Sequence, residues 1–171
     1  MLPPLDQLKT TIERALPGAS LTLEGASLWV KPNDLLRVCK FLKASPDSQL
    51  DYVSNLTAVD YPPTPASSDS QNEAAGAGRM DMVYHLSSMA KKHGPLTLKV
   101  TLPRSNPVIA SLTPLYRGAE FQEREVYDLF GVTFDGHPDL RRILMWEGFK
   151  GYPMRKDYVP ENQDVLEDAE G

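Results

Sequence analysis

Two runs of alternating side chains, Met80-Met82-Tyr84-Leu86 and Leu96-Leu98-Val100-Leu102, constrain this chain more than any other feature. Successive side chains of a strand point to opposite faces, so each run presents one apolar face and one polar face. Strands of that kind form an antiparallel sheet covered on one side, whereas strands buried on both faces read as continuous apolar runs. Lys91-Lys92-His93-Gly94 separates the two runs.

The cover is found upstream. Leu5, Leu8, Ile12 and Leu16 fall at helical spacing, with Pro3 and Pro4 at the entrance and Pro17-Gly18 at the exit. A second helix is predicted from about Pro32 to Ala44. Between them, Leu21 with Leu23 and Leu28 with Val30 flank Glu24-Gly25-Ala26, the pattern of a hairpin, and Leu50 to Val59 is β-like. Past Pro107, Ser111 is placed to cap a short turn through Tyr116, and a helix from about Phe121 to Phe130 stops at Gly131. The expected fold is therefore α+β, an antiparallel sheet covered by helices. Glu120, Arg124 and Asp128 are spaced i,i+4 on the last helix, where exposed pairs contribute a few tenths of a kcal/mol each.

A chain of 171 residues suits one core, assigned to residues 1–131. Within it, YPPTPASSDSQNEAAGAGR at 61–79 reads as a mobile surface loop. Residues 132–160 lose all period, interrupted by Gly136, Pro138, Gly148, Gly151 and Pro153. Yet this extended arm holds Phe134, Leu140, Ile143, Leu144, Met145, Trp146, Phe149, Tyr152, Met154 and Tyr158 among Arg141, Arg142, Lys150, Arg155 and Lys156. So many large apolar groups cannot be buried by the arm alone, so it must lie on its own domain or on another protein. At about 3.3 Å per extended residue its reach is several tens of ångströms. Residues 161–171 carry Glu161, Asp164, Glu167, Asp168 and Glu170 with no Lys or Arg, the composition of a disordered acidic tail.

Composition narrows the function. A net charge of −5 and a pI near 5.2 oppose a nucleic-acid partner, because that binding needs basic surface to displace counterions. No run approaches the roughly 18 to 20 apolar residues of a membrane span, and no signal-peptide pattern follows Met1, so the chain is expected to be soluble. One cysteine, Cys39, can neither close an internal disulfide nor supply the usual thiolates of an iron–sulfur cluster. It lies on the apolar side of the second helix with Leu35, Val38 and Leu42, a core position. GAGRMD at Gly76 begins like a dinucleotide fingerprint but has Asp81 where the third glycine belongs, and GxxxxGK[ST], HExxH and GxSxG are absent.

Three readings of the charged residues follow. His137 between Asp135 and Asp139 has the residue types of a metal or proton-transfer site, but Asp135-Gly136 and Pro138-Asp139 are turn formers, and the turn is preferred. Glu123, Glu125 and Asp128 crowd around Arg124 as an ion-paired surface or interface does. Arg141-Arg142 and Arg155-Lys156 suit the carboxylates of a protein partner. A metal-dependent or acid/base enzyme centred on His137 and Asp139 is the contrasting hypothesis, and a free-standing interaction module is a third.

The block EREVYDLFGVTFDGHPDLRRILMWEGFKGYPMRKDY, Glu123 to Tyr158, resembles the signature of the C-type peripheral subunit of the proton-pumping NADH-quinone oxidoreductase, respiratory complex I. LTAVDYP from Leu56, MVYHLSS from Met82 and LTLKVTLP from Leu96 are similar to that family's sheet region, in the same order. The resemblance implies an α+β domain with a C-terminal arm, seated against the large quinone-module (D-type) subunit in the hydrophilic arm of the complex, on the cytoplasmic face of the bacterial inner membrane. It implies that FMN, iron–sulfur clusters and quinone belong to partner subunits, with no active site in this chain, and that the membrane is met only through the complex. Glu123, Arg124, Glu125, Asp128, His137, Asp139, Arg141, Arg142, Arg155, Lys156 and Asp157 are expected to organise the arm or its contact with the partner. Equivalent subunits of membrane-bound hydrogenases and other ion-pumping dehydrogenases are the alternative within the same resemblance.

Overall fold

The computed structural model describes residues 2–63 and 77–160. In chain order the elements are α1 (Leu5–Ala15), β1 (Leu21–Glu24), β2 (Ser27–Val30), a 3-10 turn (Pro32–Asp34), α2 (Leu35–Ala44), β3 (Tyr52–Tyr61), β4 (Arg79–Ser88), β5 (His93–Pro103), β6 (Val108–Ala110), α3 (Ala119–Phe130) and β7 (Thr133–Asp135). Most of the predicted loop and the whole acidic tail lie outside the described residues; Tyr61 and Arg79, assigned to the loop, are strand residues paired with each other.

The five-stranded sheet runs β1-β2-β5-β4-β3. Its long strands pair antiparallel, with Met80 opposite Leu102, Met82 opposite Val100 and Tyr84 opposite Leu98. The α+β expectation holds with one difference, a parallel pairing of β2 on β5, which makes the sheet mixed. From the β1–β2 hairpin the chain crosses through α2 to the far edge strand β3 and returns antiparallel through β4 to β5, and that route brings β5 alongside β2 in the parallel sense. Alternation does its predicted work in β5, where Leu96, Leu98, Val100 and Leu102 are buried while Thr97, Lys99 and Thr101 are not.

Leu8 and Ile12 of α1 and Leu35, Val38, Cys39 and Leu42 of α2 join these strands in one apolar cluster, to which α3 adds Ala119, Val126 and Phe130. Fully burying such a side chain contributes about 1.5 to 3 kcal/mol, so three helices on one sheet make a sufficient core. Burial pushes the Cys39 thiol up to about 12, which keeps it protonated and inert.

Two short elements are not legible in the sequence. β6 and β7 pair parallel as a separate ribbon, Ile109 opposite Phe134, and place 133–135 against the body rather than in the arm. α3 begins two residues earlier than expected and ends as predicted, at Gly131 in the left-handed region (φ 73°), whose N–H donates to Tyr127 C=O at 2.9 Å.

Candidate functional site

The C-terminal segment after β7 does not extend away from the molecule. It folds back along α3 and the end of the sheet, held at two anchors. The expectation of a long reach is corrected by this geometry: charged groups of the body bind the segment's backbone, so it needs no regular period to stay in place.

The first anchor is Asp128, on the last turn of α3 and fully buried. Its Oδ1 accepts from Arg142 Nη1 at 2.7 Å, and its Oδ2 accepts the backbone N–H groups of Ile143, Leu144 and Met145 at 2.9, 2.7 and 2.9 Å. Burial alone would raise this carboxyl, but the three N–H donors and the guanidinium outweigh it and hold Asp128 below the usual carboxylate range. Arg142 also donates to Asp128 C=O at 3.2 Å and Gly151 C=O at 3.0 Å, and its guanidinium lies 5.6 Å from the Phe149 ring centroid and 5.5 Å from that of Tyr152. One turn earlier, Arg124 donates from Nε to Arg141 C=O at 3.1 Å and from Nη2 to Arg142 C=O at 3.3 Å.

The expectation that Arg124 and Asp128 decorate an exposed helix face is thus overturned. Both are buried, and each binds arm backbone rather than the other. The crowded-carboxylate reading divides similarly: Glu123 is fully buried with no ion pair among the described residues, and Glu125 is exposed on the far side of the helix. The two Arg/Lys pairs predicted to seek a partner's carboxylates also find intramolecular partners, Arg142 on Asp128, Arg141 on Asp139 at 2.9 Å, and Arg155 on Phe130 C=O at 2.6 Å.

The second anchor has no counterpart among the expected residues of the body. Asp60, at the inward end of β3, accepts from Arg104 Nε at 2.6 Å, from Arg104 Nη2 at 3.0 Å and from Lys156 N–H at 2.8 Å. Arg104 Nη2 also donates to Asp157 at 2.5 Å. Burial would raise Asp60, yet Arg104 and the Lys156 N–H prevail and hold it low; the same guanidinium holds Asp157 low. A signal for Asp60 exists in the sequence, since it continues the core-facing register of Leu56 and Ala58. A carboxylate in that register needs a buried cation.

Between the anchors, Tyr152 sits on Gly131. A Cβ added there would meet the ring at 2.5 to 2.8 Å, and the φ of +73° disfavours any L side chain. Gly131→Ala should therefore lower stability by about 1 to 2 kcal/mol and loosen Tyr152, measured as a lower urea midpoint together with faster tryptic cleavage of the arm.

His137 is a turn residue. Its Nδ1 accepts Asp139 N–H at 3.0 Å, which leaves the proton on Nε2 to donate to Glu120 C=O at 3.0 Å. With both nitrogens engaged there is no lone pair for a metal, and among the described residues no three His, Cys, Asp or Glu side chains are grouped to hold one.

The anchored segment still leaves apolar groups in solvent. Leu144, Trp146 and Met154 are about half exposed (55, 49 and 55%) and Val159 more so (75%), although Trp146 packs edge-on against Phe149 at 4.8 Å. Lys150, Gly151, Tyr152, Arg155, Asp157, Tyr158 and Val159 line an open cleft of about 380 Å³ beside them. What the geometry offers is a shaped surface held rigidly from beneath. A family model described as respiratory-chain NADH dehydrogenase, 30 kDa subunit, matches residues 28–164, a span that takes in β3 to β5 of the sheet, both anchors and this surface.

The chain belongs to that family. It is 38% identical over 153 residues to the C-type subunit of NADH-quinone oxidoreductase from Roseiflexus castenholzii, covering 90% of this chain and 80% of that one. Among solved structures it is similar to one described as Nqo5 of the trypsin-resistant fragment (1-134), with TM-score 0.55 and 26% identity, covering 80% of this chain and 98% of the fragment. A chain of the membrane-bound sulfane sulfur reductase, an archaeal respiratory membrane complex, shares the fold at TM-score 0.67 over 95% of this chain and 93% of its own, with 21% identity. The protein is thus a subunit of the respiratory NADH dehydrogenase, complex I, and its activity is that of the assembled enzyme with its other subunits.

Proposed function

We propose that this chain is a docking subunit without an active site of its own, which presents the 140–160 surface to the large quinone-module subunit. The observation that carries this reading is the combination of exposed Leu144, Trp146 and Met154 with a backbone fixed underneath by Asp128 and Asp60. A preorganised apolar patch loses little conformational entropy on binding, which suits a permanent interface. Arg141, Lys150 and Lys156 border the patch in a chain that is otherwise net negative, so the matching surface is apolar with acidic groups at its rim. Glu123, Arg124, Asp128, His137, Asp139, Arg142, Arg155 and Asp157 then brace the surface, while Glu125 is free to face solvent or a neighbour.

FMN, iron–sulfur clusters and quinone belong to partner subunits in this reading. Cys39, sealed in the core as a thiol, supports it, because a cluster needs several accessible thiolates. No helix of the described residues is long and apolar enough to cross a membrane, which fits a peripheral subunit on the cytoplasmic face that meets the bilayer through the complex. The dehydrogenase alternative with another electron donor shares this docking role and differs in the partners recovered.

Arg142→Ala tests the reading. Asp128 keeps its three N–H donors, so the chain should fold with a loss of about 1 to 2 kcal/mol, while the patch loses its brace and assembly yield falls. Native gels of the extracted complex report assembly, and NADH–quinone turnover per assembled complex should stay unchanged. Full assembly with lost turnover would overturn docking as the role.

A further inference from the structure

The interior beneath α3 holds a carboxyl group with no cation beside it. Glu123 is fully buried; its Oε1 accepts Leu112 N–H at 2.6 Å and its Oε2 is hydrogen-bonded to Ser111 Oγ at 2.6 Å. Ser111 Oγ lies 2.7 Å from Thr113 Oγ1, with either atom able to donate, and also accepts Thr113 N–H at 3.1 Å. Thr113 is half-buried, so these three side chains form a continuous hydrogen-bonded path from the core to the surface.

That path is satisfied in both protonation states. With Glu123 ionised, the Ser111 hydroxyl donates to Oε2 and the Thr113 hydroxyl donates to Ser111. With Glu123 protonated, its O–H donates to Ser111, whose hydroxyl turns to donate to Thr113. Two hydroxyl rotations connect the states, and no heavy atom has to move. Around the group, β4 contributes Tyr84 and α2 contributes Cys39, both kept neutral by burial, and the Tyr84 hydroxyl lacks a hydrogen-bond partner among the described residues. The 111–116 turn contributes Tyr116, whose hydroxyl donates to Cys39 C=O and Leu50 C=O. On α3 itself, Arg124 and Asp128 are directed to the arm.

We propose that Glu123 is a proton switch in the core, loaded and unloaded through the Ser111–Thr113 hydroxyl chain, and that its ionisation weakens the packing of the helix that carries the arm's first anchor. The proposal concerns the chain alone and does not rest on the docking reading. Burial pushes the Glu123 carboxyl up to about 7, against the pull of its two hydrogen bonds. An unfolded chain releases this proton near 4.5, so between 4.5 and about 7 the folded form holds a proton that the unfolded form has lost. Stability from this group is complete below that window and is lost as pH rises through it.

The test is carboxyl NMR of the full chain, labelled with ¹³C at the Glu side chains and titrated from about pH 4 to 9. One Glu resonance should titrate near neutrality and be missing in Glu123→Gln, whose amide can mimic the protonated form. The thermal midpoint should fall across the same window in the unsubstituted chain, and this fall should be absent in Glu123→Gln. Thr113→Val strands the Ser111 hydroxyl donor when Glu123 is protonated, whereas with Glu123 ionised Ser111 still donates to Oε2 and still accepts the N–H of residue 113, so the protonated state loses more and the proton affinity should fall several-fold. Every Glu titrating in the ordinary carboxylate range would overturn the switch, and an unmoved midpoint in Thr113→Val would overturn the hydroxyl path.

Discussion

Replacing Asp128 with alanine should free the arm while the body stays folded. The substitution removes one acceptor from Arg142 and another from the N–H groups of Ile143, Leu144 and Met145. Each stranded donor costs about 1 kcal/mol, but the arm is partly exposed and water can replace some of the lost bonds, so a total near 3 kcal/mol is expected. The urea midpoint should fall accordingly, and trypsin should cut at Arg141 and Arg142 much faster than in the unsubstituted chain. Acid should act in the same direction: Asp128 is held below its ordinary value, so its contribution is present above about 3.8 and is lost as pH falls through the lowered value. Asp128→Asn, which keeps one acceptor but turns an amide N–H₂ toward backbone donors, should fall between the two. An alanine variant with an unchanged midpoint and a protected arm would show that apolar packing, not this carboxylate, holds the segment.

The two anchors also show what a sequence can reveal. Strand β5 and helices α1 and α2 are readable because a period imposed by burial runs through each of them. Strand β4 alternates in sequence but is buried at every position from Met80 to Tyr84, so the expected exposed polar face is absent there. The β2–β5 pairing is not readable, since strand direction follows from the route of the chain and leaves no mark in three paired residues. β6 and β7 span three residues each, too few for any alternation to register. Asp128 and Arg124 stand out in the sequence, but their spacing misleads. An i,i+4 separation suits an exposed ion pair equally well, and the backbone groups they bind lie 15 to 18 residues downstream in a segment without period. Glu123 offers a better clue, because Ala119, Glu123, Val126 and Phe130 make one helical stripe whose other members are apolar and buried. The family resemblance finds the right stretch of chain, while burial and register decide which of its residues brace the surface and which are left to contact something else.

Arg104→Met should be among the most damaging single substitutions in the chain. Asp60 has 1% of its side chain exposed and loses a donor that binds both its oxygens, leaving it one backbone N–H from Lys156. Stranding a buried charge costs about 3 to 5 kcal/mol, a large share of the stability of one domain. The pH profile gives a sharper criterion than the magnitude. In the intact protein Asp60 is held low, so its contribution is present above about 3.8 and is lost as pH falls through the depressed value. Without Arg104, burial outweighs the one remaining Lys156 N–H and raises Asp60, so the sign reverses and mild acidification should stabilise the variant by protonating the carboxyl. Adding Asp60→Leu to Arg104→Met should recover most of the lost stability, since an apolar pair can replace a buried ion pair at little cost. It should not restore the arm, because Lys156 N–H and Asp157 would still lack their partners. Unfolding curves and tryptic protection of the 150–158 segment therefore separate the two roles of this pair. If the double variant regained both stability and a protected arm, Asp60 and Arg104 would be core filling alone, and the arm would depend on Asp128 for its position.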